Sequence, residues 1–309
     1  MPINLQYALC GIVVVLVIST MAIALKTHIK PNADDRELWL RMRSWWVMAS
    51  VFVVAIALGN LTTIALLCLV SVLALREYLN ITQVRATDIP LLYLAYAATI
   101  LQYVWVWQSC NVLFMIFIPV CLFLLLPFCM LVKGETQGFL KAVASMQWGL
   151  LATVYMLSHA AYLLTLPIVS QPAGNSGLLL FLVCLTQFND VLQYVWGRCL
   201  GNTKIVPSIS PSKTWAGLVG GVISTTLLAW LLAPVLTPFA SISALAIGLI
   251  IGLGGFVGDV TMSAIKRDLG LKNTSNLIPG HGGILDRIDS LIFTAPLFYY
   301  FYFFTFYLF

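Results

Sequence analysis

Two aspartates of this 309-residue chain, Asp190 and Asp259, fall inside otherwise apolar runs. A carboxylate at membrane depth is costly to keep and marks function by default. Asp190 lies eight residues before Arg198 and Asp259 seven before Lys266, so each sits about 10–12 Å below the nearest loop charge at ~1.5 Å of helix rise per residue. Paired burial of that kind calls for a cation. The polar stretch that follows reads Lys266-Arg267-Asp268, Lys272-Asn273, Pro279-Gly280-His281-Gly282-Gly283 and Asp286-Arg287-Ile288-Asp289, and is expected as a loop ending at the mouth of the last helix. Asp286 and Asp289, three apart, share one helical face. The amides of Gly282 and Gly283 can approach an anion closely beside a helix N-terminus that favours negative charge. Upstream, Ser210, Lys213 and Thr214 stand at the start of another helix as a second phosphate seat. Residues 190–289 carry seven basic and five acidic side chains, a net of +2. Carboxylates, ammonium and guanidinium groups and glycine amides together suit a metal–polyphosphate, whose chemistry is mostly positioning and charge neutralisation. The alternative that these residues leave open is an ion-pair network that ties loops together.

The elements that must position these groups are transmembrane helices. The chain is 61% hydrophobic and 9% charged, against about 25% charged in a soluble domain. Ten apolar segments can be drawn, at 6–25, 45–58, 61–75, 89–107, 112–132, 142–166, 178–197, 215–238, 243–262 and 291–309. The second and third meet at Gly59-Asn60 as a tight hairpin. Starting from an outside N-terminus, the loops 26–44, 76–88, 133–141, 198–214 and 263–290 hold all 16 Lys and Arg residues, and the opposite loops hold none. Basic short loops stay cytoplasmic. The expected fold is therefore all-α: a polytopic membrane helix bundle of about ten transmembrane helices, both termini outside and the site at the cytoplasmic face. Residues 1–180 form its N-terminal helices and 181–309 its catalytic region. The net charge of +5 is accounted for by topology, so no nucleic-acid partner is expected. The first segment reads as a retained anchor, because Met1–Gln6 carries no positive charge.

Other features have plain readings. Cys10, Cys68, Cys110, Cys121, Cys129, Cys184 and Cys199 show no metal-ligand spacing and are expected to pack as small hydrophobes. Trp39, Trp45 and Trp46 are expected in an interfacial belt, and the aromatic run 298–309 facing lipid. His159, alone in an apolar helix, is expected to be structural. Glycines 217, 220, 221, 248, 252, 254, 255 and 258 suit close helix approach.

The run Ser263-Ala-Ile-Lys266-Arg267, Lys272-Asn273, and Leu277 through Asp289 closely resembles the signature of the CDP-diacylglycerol synthase (phosphatidate cytidylyltransferase) family. Ser210-Pro211, Lys213-Thr214-Trp215, Gly217 and Gly258-Asp259 resemble further blocks of it, and the likeness covers about 185–295. The resemblance implies transfer of CMP from CTP to phosphatidate with release of pyrophosphate. It implies Asp259 and Asp286 as ligands of Mg²⁺, with a second cation as an option, and Lys213, Lys266, Arg267 and Arg287 at phosphates. Ser210, Thr214, Asp190, Lys272, His281, Gly282, Gly283 and Asp289 are assigned to substrate. CTP, phosphatidic acid or a related lipid phosphate, and membrane lipids are the partners, and a homodimer is compatible with them. The compact chain suits a bacterial cytoplasmic membrane. Two departures stand out. Asn273 replaces the family's Asp, and Asp190-Val-Leu-Gln193-Tyr194 replaces its Asp-Ser-Gly-Ala-Tyr pattern. Both point to a divergent branch with another lipid acceptor or altered metal use. A non-catalytic paralogue and, last, a transporter complete the alternatives.

Overall fold

The computed structural model describes residues 1–29, 35–82, 84–132, 134, 136–167 and 172–307. In hydrocarbon every backbone polar group must be satisfied within its own segment, so apolar runs of this length become helices. Ten rods result: α1 (Ile3–Ile29), α2 (Asp35–Leu58), α3 (Asn60–Ile81), α4 (Ile89–Trp107), α5 (Asn111–Leu131), α6 (139–162), α7 (Gly174–Leu200), α8 (Trp215–Leu236), α9 (Ser241–Asp268) and α10 (Leu285–Tyr307). Nine of them are long and apolar enough to cross a membrane. The remaining one, α6, is interrupted by a π turn at Leu151–Met156. A second π turn, Phe117–Leu122, lies in α5 around Pro119, which cannot donate the regular helical hydrogen bond. The chain is an integral membrane protein.

Several rods run further than hydropathy suggested. The hairpin at Gly59-Asn60 is present, with Gly59 at φ 119°, but its arms are not short: α2 begins at Asp35 and α3 runs to Ile81. The expected loop Lys266–Asp289 shrinks to 269–284, because α9 ends at Asp268 and α10 begins at Leu285. Charged residues in a helix's last or first turn reach past the hydrocarbon, so a hydropathy window stops short of them.

Hydrogen bonds sort the helix ends into two faces. On the basic face Ser44 Oγ donates to Pro279 O (2.8 Å), Arg85 to Gln137 O (2.8 Å) and Arg267 Nε to Ile209 O (3.2 Å). On the opposite face the Asn60 and Asn175 amides donate to Leu164 O (2.9 and 3.0 Å), and Tyr307 Oη donates to Pro167 O (3.2 Å). This is the alternation that the basic residues required. Lys30, Lys133 and residues 168–171 of the Pro167–Gly177 loop lie outside the described residues.

Glycines let α7 to α10 pack with backbones nearly touching, as expected. A Cβ at Gly217 would lie 2.7 Å from Gln193 O, one at Gly258 2.7 Å from Asp289 O, and one at Gly248 2.7 Å from Thr226 Cα. Two expectations fail here. The aromatic run at the C-terminus does not simply face lipid: Phe298, Tyr299 and Tyr302 are fully buried. Helix α10 packs against α6, α7 and α9, so its aromatics fill the middle of the bundle. Nor do all the cysteines pack: Cys10, Cys121 and Cys199 are exposed, while Cys68, Cys129 and Cys184 are partly buried against the core as expected. His159 is structural as expected. It is wholly buried, its Nδ1 lies 2.9 Å from Tyr155 O, and the rings of Phe114, Tyr155, Tyr299 and Tyr300 surround it.

Candidate functional site

The carboxylates of the basic face form two layers. The outer layer is the start of α10. A helix N-terminus leaves its first amides without partners, and here the partner is Glu77, from the end of α3. Its Oε1 accepts from Ile284 N (3.0 Å) and Ser275 Oγ (2.7 Å), and its Oε2 from Leu285 N (2.9 Å) and Thr274 Oγ1 (3.1 Å). Asp286 completes the layer. Its Oδ2 accepts from Gly283 N (3.0 Å), Thr274 N (2.9 Å) and Thr274 Oγ1 (3.0 Å), and its Oδ1 pairs with Lys266 Nζ at 2.7 Å. Both carboxylates are buried. The anion expected from a phosphate at Gly282 and Gly283 is thus supplied by the protein. Gly283 N bonds Asp286, and Gly282 N bonds Ile278 O at 3.1 Å.

The inner layer lies one turn deeper, where α7, α9 and α10 meet. Asp190 Oδ1 accepts from Ser290 Oγ (3.0 Å), and Asp289 Oδ1 from Ser290 N (2.9 Å). Asp259 accepts from Ser263 Oγ (3.3 Å) and pairs with Lys213 Nζ at 2.5 Å. The three carboxylates are near enough to feel one another's charge. Lys213 also donates to Gln193 Oε1 (3.1 Å) and lies 5.8 Å from the centre of the Phe256 ring. The backbone that carries it is set by Thr214, which caps α8 by accepting from Gly217 N (3.1 Å). Ser210 Oγ lies 3.4 Å from Ser212 Oγ. At the expected phosphate seat Ser210–Thr214, Lys213 turns to the inner layer and Thr214 is a helix cap.

Arg267 also departs from expectation. Its guanidinium donates to Ile209 O (3.2 Å) and Leu271 O (2.8 Å), clipping two loops together instead of facing a phosphate. Arg287 has a buried Nε without a partner among the described residues. It opens, with Lys272, His281 and Gly282, into a cleft of about 570 Å³. Burial, with Arg287 and Arg41 nearby, holds the His281 imidazole below the usual histidine range. The far wall is α2, contributing Glu37, Arg41 and Trp45. Trp45 meets His281 edge-to-face at 6.0 Å and lines the cleft. Trp46 bonds Thr20 (3.0 Å) on α1, while Trp39 is exposed.

Among the described residues no three His, Cys, Asp or Glu side chains are arranged as a metal cage. Mg²⁺ bound with a polyphosphate needs only one or two carboxylates, and the inner layer fits that demand. Asp190 and Asp289 each have one oxygen with no protein donor among those described, and Asp259 meets the Lys213 ammonium. Asp286, expected as a ligand, has donors on both oxygens. Sequence reading missed Glu77, Arg41 and Trp45. Glu77 could have been noticed as a carboxylate at the end of an apolar helix, but nothing local says what it caps.

The model of the cytidylyltransferase family matches residues 39–305. Over 297 residues the chain is 41% identical to the "uncharacterized protein YnbB" of Escherichia coli (strain K12), covering 96% of this chain and 98% of that one. It is 29% identical over 253 residues to a phosphatidate cytidylyltransferase of Staphylococcus haemolyticus, covering 80% and 92%. A phosphatidate cytidylyltransferase of Synechocystis is 46% identical over 113 residues, a match that spans 36% of this chain and only 38% of that one.

Proposed function

The chain belongs to the cytidylyltransferase family, and on that premise we propose that it transfers CMP from CTP to a membrane lipid phosphate, phosphatidate in the first instance, in a bacterial cytoplasmic membrane. The observation that carries this reading is the convergence of Lys213, Asp259, Asp190 and Asp289 at the basic face, beside a cationic cleft. In the reaction a lipid phosphate oxygen attacks the α-phosphorus of CTP in line. The new P–O bond forms as the bond to pyrophosphate breaks, so no Ser or Cys nucleophile is needed.

Mg²⁺, when bound, would neutralise phosphate charge and orient the leaving pyrophosphate. Asp259 and Asp289, with Asp190 behind them, are the residues to hold it. Lys213 is the residue whose role changes. Its ammonium neutralises Asp259 in this structure and would be available to a phosphate if that carboxylate held a cation. Arg287 stands between the inner layer and the cleft, its charge reaching Asp190. Asp286 and Lys266 fix the start of α10, and so the position of Asp289 three residues on.

A second acceptor deserves a place in the test, because Gln193 holds Lys213 where the resembled pattern has Ala. Purified protein with radiolabelled CTP, Mg²⁺ and a panel of phosphatidate, isoprenoid ether lipid phosphate and polyprenyl phosphate separates the acceptors. A labelled CDP-lipid from phosphatidate supports the reading. Product from another lipid alone replaces the acceptor, and no product from any lipid overturns it.

A further inference from the structure

The cleft between α2 and the loop before α10 lies outside the carboxylate layers, and its wall is unlike theirs. It encloses about 570 Å³, within the range that holds a ligand of nucleotide size. Three cations, Arg41, Lys272 and Arg287, face one carboxylate, Glu37, which is itself paired with Arg41. Between them stand the Trp45 indole and the amides of Asn273 and Asn276. A polar atom at this wall, Arg287 Nε, is buried without a protein partner among the described residues. Buried polar atoms are rarely left so, and each such case asks for a missing ligand or water.

The cleft is built and not incidental. Ser44 Oγ bonds Pro279 O at 2.8 Å, and Trp45 packs against His281. Gly280, at φ 74°, lets the loop approach so closely that a Cβ there would lie 3.2 Å from Arg41 N. Three kinds of chemistry thereby line one cleft: cations, a planar apolar surface, and amides able both to donate and to accept. Polyphosphate matches the first, a stacked base the second, and the hydrogen-bonding edge of that base the third. A lipid phosphate would use the cations but not the other two, and Ile278 and Pro279 are the only aliphatic side chains in the wall among the described residues.

We propose that this cleft seats the nucleotide of CTP, with Trp45 as the surface for the base, Arg41 and Lys272 as contacts for the polyphosphate, and Asn276 on the base edge. The inference rests on the CTP reading and adds to it a specificity site contributed by α2. Trp45 and Arg41 are substrate-binding residues outside the signature-bearing third of the chain.

Steady-state kinetics on the full-length purified protein test it, with inorganic tripolyphosphate and UTP as competitors. Trp45→Leu should raise the KM for CTP at least about fivefold, the lower end of what base stacking supplies, and leave the KM for the lipid within about twofold. The preference for CTP over tripolyphosphate should shrink with it. Trp45→Phe should keep most of that preference, which a general loss of folding would not allow. Arg41→Gln should weaken CTP and tripolyphosphate alike. Binding is read separately by Asn276→Cys in a variant lacking the seven native cysteines, where CTP should slow thiol labelling more than tripolyphosphate does. An unchanged KM for CTP in Trp45→Leu, or labelling of Asn276→Cys at the same rate with CTP, would overturn the nucleotide seat. A rise in the lipid KM alone would assign the cleft to the headgroup instead. Those outcomes in a wild-type protein that still makes CDP-lipid remove only the cleft assignment. A wild type that makes no CDP-lipid, together with no protection of Asn276→Cys by CTP, removes the CTP reading along with it.

Discussion

The outer and inner carboxylate layers are built from the same side chains at the same face of the bundle, yet they differ in how fully their oxygens are supplied with donors. Glu77 and Asp286 each accept from three donors of their own and share a fourth, the Thr274 hydroxyl. They act as the internal anions of a helix N-terminus, where negative charge is favoured. Asp190 and Asp289 each accept from Ser290, and Asp259 accepts from Ser263 and pairs with Lys213. Crowding three acids with so few donors is unfavourable unless a cation joins them. The outer layer shapes the site and the inner layer has capacity left for a ligand. Residue type does not separate the two; donor count does.

The largest effect should follow from the inner layer. Asp259→Asn should reach the membrane yet form no CDP-lipid per folded molecule at any Mg²⁺ concentration. Asp289→Asn should behave in the same way. Charge stabilisation of the transferring group is the main catalytic term. Retention of more than about a tenth of wild-type turnover, a loss of only ~1.4 kcal/mol, would remove that residue from the ligand set.

Asp286→Asn should break the outer layer in a different manner. It leaves Lys266, a mostly buried ammonium, without its carboxylate, a change that destabilises by about 3–5 kcal/mol when a buried pair loses one member. Thermal unfolding in detergent should show a clear drop, and extra Mg²⁺ should not restore activity. Normal stability together with an activity that returns at high Mg²⁺ would place Asp286 back among the metal ligands and erase the distinction between the layers. A smaller effect is expected for Glu77→Gln. One face of the new amide still accepts, but its NH₂ opposes backbone donors at Ile284 or Leu285, for about 1–3 kcal/mol. Turnover per folded molecule should be nearly kept, and a selective loss of turnover would give Glu77 a role beyond capping.

The smallest effect should come from Asn273, which lines the cleft beside Gly282. Asn273→Asp adds a carboxylate to a cationic wall, and activity at low Mg²⁺ should rise or stay unchanged. Total loss in that variant would mean that the site is organised around the amide.

Membrane embedding, ten segments and the gathering of the charged ends on one face were legible because each depends on local quantities: runs of apolar residues and the positions of Lys and Arg. The depth of Asp190 and Asp259 was legible for the same reason, and the motif between Ser263 and Asp289 stood out by its density of polar residues. What only the tertiary structure decided is which side of each helix meets protein. A helix apolar all round gives lipid and protein neighbours the same signal, so the burial of Phe298, Tyr299 and Tyr302 had no local mark. The same holds for partners across the bundle. Glu77 reaches Leu285, 208 residues away, and Trp45 reaches His281, contacts fixed by how α2 and α3 dock onto the loop before α10. Asp286 became an anchor and Asp289 a ligand candidate because the loop bends its donors toward the first and away from the second, and spacing along one helix face cannot distinguish the two.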